Sequence, residues 1–365
     1  MRPAYVAALK AELQHWQARL GADWHPITVY FGGGTPSLLP ADAIADLLQR
    51  IQPAPEAEIT LEANPGTLSA AQLTALREAG VNRLSLGVQA HTDAALRLLG
   101  RLHTWEQAVT SVRMARAAGF TNLSLDVMFG LPGQTLAEWA ETLEAVLVLA
   151  PEHLSLYALT LEEGTPLAAR VAAGELPAPD ADEAAAMYEL ASARLAQAGF
   201  WQYEISNWAR GPHQPPTLWP YPPTGRSEAL GPWVARHNLT YWRNDPWLGL
   251  GAGAHSWLAG RRWANLAHPE AYIAALRAGQ SPVAEEETIP LTLEMGETLM
   301  LGLRLAEGVS TARFQTRFGR SLTAVYAETL PPLLRQGLVE WQDDHLRLTE
   351  RGRLLGNRVF AAFLP

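Results

Sequence analysis

The chain has 365 residues, of which 48% are hydrophobic and 18% charged, the balance of an ordinary globular protein. Its net charge of −9 gives no general attraction to nucleic acid, and without a signal peptide or an apolar run of membrane-spanning length we expect a cytoplasmic protein. It contains no cysteine, which excludes disulfides, thiolate catalysis and any iron–sulfur cluster or zinc site built on Cys in this chain.

The first predicted elements are an amphipathic helix over residues 3–20 and a short β-branched strand over 27–31. The strand runs into Tyr30-Phe31-Gly32-Gly33-Gly34-Thr35-Pro36-Ser37. Three glycines after a strand let a ligand approach bare backbone N–H groups closely. A tight strand–helix turn without a ligand is the alternative, and for an isolated glycine run it is the commoner one.

Four more strand–helix units follow, which predicts parallel βαβ connections in either an open doubly wound sheet or a barrel-like sheet. The predicted strands cover residues 27–31, 58–63, 83–89, 123–129 and 153–159, and the helices 41–51, 69–78, 92–99, 104–118 and 136–149. In both architectures ligands bind at the C-terminal ends of the strands.

Polar residues are found near most of these strand ends. Besides the glycine run and Thr35, they include Glu62, Gln89 and Asp126, with Arg101 in the turn that follows the third strand. Each residue alone has an ordinary structural explanation, as a surface carboxylate or a capping group. Because parallel strands end at one rim, we expect the set to form a polar ligand site.

Further along, a helix is predicted over residues 181–198 and a strand over 200–207. Residues 211–234 are rich in proline and predict an extended surface loop. We predict three regions, a partial barrel over 1–210, this loop with a glycine-rich segment over 211–284, and a small α+β domain over 285–365.

The segment Arg236-His237-Asn238-Leu239-Thr240-Tyr241-Trp242-Arg243 combines an imidazole, two flat aromatic side chains and two arginines. Such residues suit haem iron, the porphyrin face and its propionates. A hydrogen-bonded histidine among core aromatics is the alternative, and spacing alone favours it. His255 in the glycine-rich segment is a weaker candidate ligand.

The C-terminal region predicts helices over 292–305, 310–317 and 321–335, a hairpin over 337–349 and a last helix over 349–361, as in a winged helix. DNA binding is not favoured, because the helices carry no basic cluster and the chain is acidic.

Several motifs in order closely resemble the radical S-adenosylmethionine (SAM) family of oxygen-independent coproporphyrinogen III oxidases. They are the Tyr30–Ser37 run, Leu61-Glu62-Ala63-Asn64-Pro65, Leu84-Ser85-Leu86-Gly87-Val88-Gln89 and Asp126-Val127-Met128-Phe129-Gly130-Leu131-Pro132-Gly133-Gln134. The His237–Trp242 motif, Tyr203-Glu204-Ile205-Ser206-Asn207 and the segment from Gly249 to Ser256 resemble its haem chaperone HemW branch.

The resemblance implies an α/β fold, a partial TIM-like (β/α)6 barrel missing its first strand, followed by a small winged-helix-like domain. It implies SAM contacts from Gly33, Gly34, Thr35, Glu62, Gln89, Arg101 and Asp126. It implies haem contacts from His237, Asn238, Tyr241 and Trp242, with His237 as a candidate ligand of the haem iron. No catalytic residue is assigned.

One feature of the family is absent from the sequence. The family opens with a strand and a Cys-x3-Cys-x2-Cys loop that binds a [4Fe–4S] cluster, whereas this chain begins just before the first helix and has no cysteine. We therefore expect no usual cluster, weak or vestigial SAM binding, and an exposed edge at residues 27–31. A misplaced start or a true truncation is the expected cause.

Three functions remain open at this stage. The resemblance favours a haem-binding chaperone that delivers haem to acceptor proteins, with respiratory proteins as one candidate class. The second is a coproporphyrinogen oxidase that decarboxylates propionates through a 5′-deoxyadenosyl radical, which needs cluster ligands. The third is a non-catalytic remnant. The sequence gives neither the acceptor nor the oligomeric state.

Overall fold

The computed structural model describes residues 1–21, 24–211 and 231–365 and begins with helix α1 (Arg2–Leu20). Most of the proline-rich loop predicted at 211–234 lies outside the described residues. No helix in these three ranges is long and apolar enough to cross a membrane.

The chain divides into two compact units, which we describe separately. The sheet unit comprises Ile27–Leu48 and Pro55–Ala235, and the terminal unit comprises Met1–Pro26, Gln49–Ala54 and Arg236–Pro365. The three-region division expected from the sequence stays a prediction.

The sheet unit contains a seven-stranded sheet. Its strands are β1 (Thr28–Phe31), β2 (Glu58–Ala63), β3 (Arg83–Gln89), β4 (Leu123–Phe129), β5 (His153–Ala158), β6 (Phe200–Glu204) and β7 (Asn207–Arg210). The order is β1-β2-β3-β4-β5-β7-β6, with β1 to β5 parallel and the last two strands antiparallel. As predicted, β1 lies at one end of the order, where it pairs with β2.

Helices follow the strands as the sequence predicts, except that the helix over Pro166–Ala172 was not predicted. They are α2 (Ala41–Ile51), α3 (Ala70–Glu78), α4 (Asp93–Leu98), α5 (Trp105–Ala117), α6 (Leu136–Val148), α7 (Pro166–Ala172) and α8 (Ala181–Gln197). Capping boxes at Ser69, Thr104 and Thr135 satisfy the first backbone N–H groups of α3, α5 and α6. The local sequence therefore sets where these helices begin.

Alternation along the strands decides which face is apolar. Leu84, Leu86 and Val88 of β3 join the apolar core with side chains of α2, α3, α5, α6 and α8, and so do Leu123, Leu125, Val127 and Phe129 of β4. The residues between them point to the opposite face. That face carries the polar side chains of the candidate site.

One predicted strand proved to be two. Residues 200–207 were expected to continue as one strand, but β6 and β7 form an antiparallel hairpin that turns at Ile205 and Ser206. The Glu204 carboxylate accepts hydrogen bonds from the Ser206 N–H, at 3.0 Å, and from the Asn207 amide. A turn stabilised by a buried glutamate has no glycine or proline signal, so the strand pattern concealed it.

The terminal unit adds further helices to α1, together with two small sheets. The helices are α9 (Arg236–Trp242), α10 (Pro269–Arg277), α11 (Leu291–Gly302), α12 (Thr311–Phe318), α13 (Leu322–Val325), α14 (Leu330–Arg335), α15 (Glu350–Leu354) and α16 (Gly356–Ala361). The strands are β8 (His255–Leu258), β9 (Arg261–Asn265), β10 (Val283–Thr288), β11 (Val309–Ser310), β12 (Val339–Gln342) and β13 (His345–Leu348).

The β12–β13 hairpin is confirmed, with β11 added to it as a third strand. The helix predicted over 321–335 is two helices, because Pro331 and Pro332 fit the first turn of α14 but not a helix interior. The last predicted helix is also divided, at Leu355.

Strands β8 to β10 were missed by the sequence prediction. The acidic run Glu285–Glu287 lies within β10, opposite Arg261 and Arg262 of β9, and ion pairs join Arg261 to Glu286 and Arg262 to Glu287. A strand with three consecutive glutamates lacks the apolar alternation on which strand prediction depends.

Candidate functional site

A cavity of about 200 Å³ opens at the C-terminal ends of β1 to β4 in the sheet unit. All seven residues predicted to contact SAM line it, namely Gly33, Gly34, Thr35, Glu62, Gln89, Arg101 and Asp126. Five further residues complete the lining, namely Pro36, Ala63, Asn64, Ser85 and Gly87. The structure thus brings together residues of β2, β3 and β4, the loop after β1 and the helix-turn after β3.

The glycine run forms one wall of the cavity and is fixed by Glu62. One carboxylate oxygen of Glu62 accepts a hydrogen bond from the Tyr30 hydroxyl at 2.6 Å, and the other accepts one from the Gly33 N–H at 3.2 Å. Gly33 has φ +98°, which disfavours a side chain, and a Cβ built on Gly34 would meet no atom within 4 Å. The loop therefore leaves open space beside bare backbone, as a ligand cradle requires.

Tyr30 was not singled out as a site residue from the sequence. Burial and the Glu62 charge raise the pKa of its phenol, so its hydroxyl keeps its proton and donates to the carboxylate. A Cβ on Gly32 would lie 2.5 Å from the Tyr30 ring. Gly32 is thus required for the tyrosine to reach Glu62.

Asp126 is a partly buried carboxylate on the polar face of β4. The Ser85 hydroxyl lies 3.1 and 3.2 Å from its two oxygens. Burial raises the pKa of Asp126 to about 6, while hydrogen bonds from Ser155 and Ser85 and the charge of Arg83 act in the opposite direction. A carboxylate with this pKa changes charge near neutral pH.

Asp126→Asn should remove a pH dependence of stability. The folded-state pKa of about 6 lies above the unfolded value, so the contribution of Asp126 is fully present below about pH 4 and is lost as the pH rises to 6. Relative to the wild type, the free energy of unfolding of Asp126→Asn should rise by on the order of 2 kcal/mol from pH 4 to pH 6. Urea unfolding at pH 4.5 and pH 7.5 measures this change. An equal difference in unfolding free energy between variant and wild type at both pH values would contradict the prediction.

Gln89 closes the cavity with a strained backbone. Its φ of 68° is unusual for a residue other than glycine, and its side-chain amide would lie 2.9 Å from a Cβ on Gly87. Strain of this kind persists where the surroundings impose it, often at functional sites. A strand pattern carries no signal for the backbone conformation at Gln89.

Arg101 brings a positive charge to the same cavity. Its Nε is buried without a hydrogen-bond partner, and burial lowers the pKa of its guanidinium, which the Asp126 charge opposes. A buried donor without a partner is costly unless a ligand or water completes it. The cavity is therefore lined by a hydrogen-bond donor without a partner, Nε of Arg101, and by two carboxylates.

The haem-motif residues lie on α9 in the terminal unit. His237 and Tyr241 are one helical turn apart, with the His237 Nε2 3.0 Å from the Tyr241 hydroxyl and the two rings perpendicular. Asn238, Tyr241 and Trp242 are each half-buried, as is His237. The helix therefore brings together an imidazole and a phenol, and both groups can ligate haem iron.

Two arginines beside this helix already contact other groups, which for Arg243 differs from the sequence-based expectation. Arg243, suggested for a propionate, is buried and paired with Glu307 at 3.1 Å. The guanidinium of Arg304 lies 4.3 Å from the centre of the Trp242 ring, so one indole face is already covered. His255 is exposed on β8.

Glu12 of α1 holds the glycine-rich segment of the terminal unit. Its buried carboxylate accepts hydrogen bonds from the Gly251 N–H at 2.8 Å, the Asn265 amide at 2.7 Å and the Tyr272 hydroxyl at 2.5 Å. The Tyr5 hydroxyl accepts a further bond from the Ala252 N–H at 3.1 Å. No group of three or more His, Asp or Glu residues that could hold a metal ion is found in the described parts of the chain.

Comparisons with known proteins agree with this architecture. The model of the radical SAM superfamily matches residues 3–146, and that of the HemN C-terminal domain matches residues 289–355. The structure of coproporphyrinogen III oxidase (HemN) from Escherichia coli, a radical SAM enzyme, superposes with a TM-score of 0.80 and 25% identity. That match covers 98% of this chain and 82% of the enzyme.

Two relatives with the name heme chaperone HemW match over nearly the whole chain. The protein from Bacillus subtilis is 37% identical, with 99% of this chain and 91% of the relative covered. The protein from Mycobacterium tuberculosis is 38% identical, with 99% and 86% covered. Since this likeness extends through both units, the chain belongs to the HemW family of radical SAM proteins.

Proposed function

We propose that this protein binds haem and delivers it to acceptor proteins, as the name of its HemW relatives indicates. The observation that carries the proposal is the likeness to these relatives along 99% of the chain. Haem is the cargo in this scheme, and no residue is assigned a catalytic role. Haem-accepting proteins are the partners, with respiratory proteins as a candidate class, and the cytoplasm is the proposed location.

The haem site we propose is α9, with His237, Asn238, Tyr241 and Trp242. The His237–Tyr241 pair supplies two ligand types for iron, and the hydrogen bond between them must break before Nε2 of His237 can bind the metal. Arg304 covers one face of Trp242, so a flat apolar ligand would have to pack on the other face.

Titration of the purified chain with haemin, followed in the Soret region, tests the chaperone proposal. Near-stoichiometric binding is the expected result. If the folded protein bound no haem, the proposal would fail, and the interpretation left would be a non-catalytic remnant of the family.

We propose the cavity as the SAM site, held by the seven residues predicted from the sequence. The backbone of Gly33 and Gly34, the two carboxylates Glu62 and Asp126 and the unpartnered Nε of Arg101 fit a ligand with an amine, hydroxyls and a carboxylate. Within the family SAM supplies radical chemistry when a reduced cluster is present. Here these residues only bind and orient it.

A [4Fe–4S] cluster does not fit the residues of this chain. Such clusters are held by cysteine thiolates, and the chain has no cysteine. No step through the cluster is therefore assigned to this polypeptide.

SAM should bind more weakly than at micromolar affinity. The rim residues are present, but the chain cannot supply the cluster iron that would hold the methionine amine and carboxylate. Glu62→Ala and Asp126→Ala should each weaken the remaining binding in calorimetry, while Glu78→Ala, an exposed carboxylate on α3, should not. Micromolar binding that survives both cavity variants would disprove the site.

Anaerobic reconstitution with iron and sulfide should give no stoichiometric cluster. Without thiolates, iron and sulfide have no ligands that hold them in a cubane. Electron paramagnetic resonance of the reduced sample measures the outcome, and a signal near one cluster per chain would show that other residues act as ligands.

An oxygen-independent coproporphyrinogen III oxidase is the second candidate function. The superposition on the E. coli enzyme over 98% of this chain favours it. The missing cluster ligands oppose it, so anaerobic assays of this polypeptide should show no decarboxylation of coproporphyrinogen III.

A further inference from the structure

The face of the sheet opposite the apolar core is polar along nearly its whole length. Parallel sheets are usually apolar on both faces, and barrel interiors are usually filled by Val, Ile and Leu. Here most residues that alternate with the core positions are polar, with Met128 of β4 an exception: Glu58, Thr60 and Glu62 on β2, Arg83, Ser85 and Gln89 on β3, Ser124 and Asp126 on β4, and His153 and Ser155 on β5. Packing alone does not explain so polar a face.

Arg83 is the most unusual member of this face. It is 2% exposed and its Nε is buried without a hydrogen-bond partner. A buried guanidinium left in this state is costly, so an acceptor is expected to meet it.

Thr60 stands beside Arg83 with a second buried group of the same kind. The two residues are register partners on β2 and β3. Thr60 is fully buried, and its hydroxyl also lacks a hydrogen-bond partner. Two adjacent donors without acceptors indicate a place for one ligand group that accepts from both.

The Arg83 charge reaches groups on several strands around it. It acts to lower the pKa of Asp126 on β4, of Tyr30 on β1, and of Tyr157 and His153 on β5. Asp126 and Ser85, which share the polar face with Arg83, line the cavity described above. Arg83 precedes Ser85 by two residues on β3, so the polar face continues past the cavity lining, which includes neither Arg83 nor Thr60.

We propose that Arg83 and Thr60 form a subsite for a carboxylate of a ligand that enters through the cavity. A planar carboxylate matches the guanidinium and can also accept from a hydroxyl. A phosphate dianion is disfavoured, because it brings one more negative charge than a carboxylate to a face that already carries Glu58, Glu62 and Asp126. The subsite requires neither haem nor a cluster, so its test is independent of the proposed function.

Sodium propionate is the probe, observed by saturation-transfer difference NMR on the full-length protein. Arg83→Met and Thr60→Val should each weaken propionate binding at least tenfold, and Arg83→Lys should weaken it less. Arg113→Met removes an exposed arginine of α5 and should change nothing. Propionamide, which lacks the charge, should not bind to the wild type.

Three results would overturn the subsite. They are no propionate binding by the folded wild type, equal binding by Arg83→Met, and equally effective competition by inorganic phosphate. Thermal unfolding without propionate distinguishes a structural role of Arg83 from a role in ligand binding. The melting temperature of Arg83→Met should equal or exceed that of the wild type, because an unpartnered buried charge is removed. A lower melting temperature would make Arg83 a structural residue and end the proposal.

Discussion

His237→Ala should shift the Soret band of the haem-loaded protein and lower haem affinity at least about tenfold, which corresponds to 1.4 kcal/mol. The shift is expected because replacing the imidazole changes the iron ligand. His237 lies 3.0 Å from the Tyr241 hydroxyl, so the phenol is positioned to replace it as ligand. Absorption spectra of matched haem titrations measure both effects.

Three further variants make the haem experiment specific. Tyr241→Phe removes the hydrogen bond to His237 and the replacement ligand. Trp242→Ala should weaken binding without a spectral shift, by about 1–3 kcal/mol, because it removes only apolar contact area. His255→Ala, at an exposed histidine, is the control and should resemble the wild type.

The pattern of results distinguishes two interpretations of His237. A shift in His237→Ala that Trp242→Ala does not show supports ligation. If both variants weakened haem binding equally and neither shifted the Soret band, His237 would contact the haem without ligating its iron. A spectral shift caused by His255→Ala would instead indicate that His255, in the glycine-rich segment, ligates the iron.

Glu12→Ala should lower the free energy of unfolding by about 3–5 kcal/mol, and the melting temperature of the terminal unit by roughly 10 °C. The substitution leaves the Gly251 N–H, the Asn265 amide and the Tyr272 hydroxyl without their shared acceptor. Burial is the main cause that raises the pKa of Glu12, and the three hydrogen bonds offset part of that cost. Differential scanning calorimetry measures the loss.

Two substitutions in α1 serve as controls for this experiment. Glu12→Gln keeps an acceptor of nearly the same size and should lose less stability than Glu12→Ala. Gln14→Ala removes an exposed polar side chain from the same helix and should stay within about 0.5 kcal/mol of the wild type. If Glu12→Ala resembled Gln14→Ala, the three hydrogen bonds would not support the fold as described.

The sequence by itself determined the strands β1 to β5 and the helices α2 to α6 of the sheet unit, and the residues that meet in its cavity. The apolar alternation of β3 and β4 and the caps at Ser69, Thr104 and Thr135 are local signals, because each depends on neighbours within a few residues. Since parallel strands end at one rim, Glu62, Gln89 and Asp126 were predicted to meet, and they line one cavity.

Only the tertiary structure decided which polar groups found partners. Glu12 meets Asn265 from 253 residues away, and no local pattern encodes that pairing. Arg83 is in sequence the ordinary first residue of a strand, yet it is buried with an unpartnered Nε beside Thr60. Burial and hydrogen bonding depend on which strands and helices pack together, and so does a charge's effect on neighbouring pKa values. These properties follow from long-range packing and not from residue order.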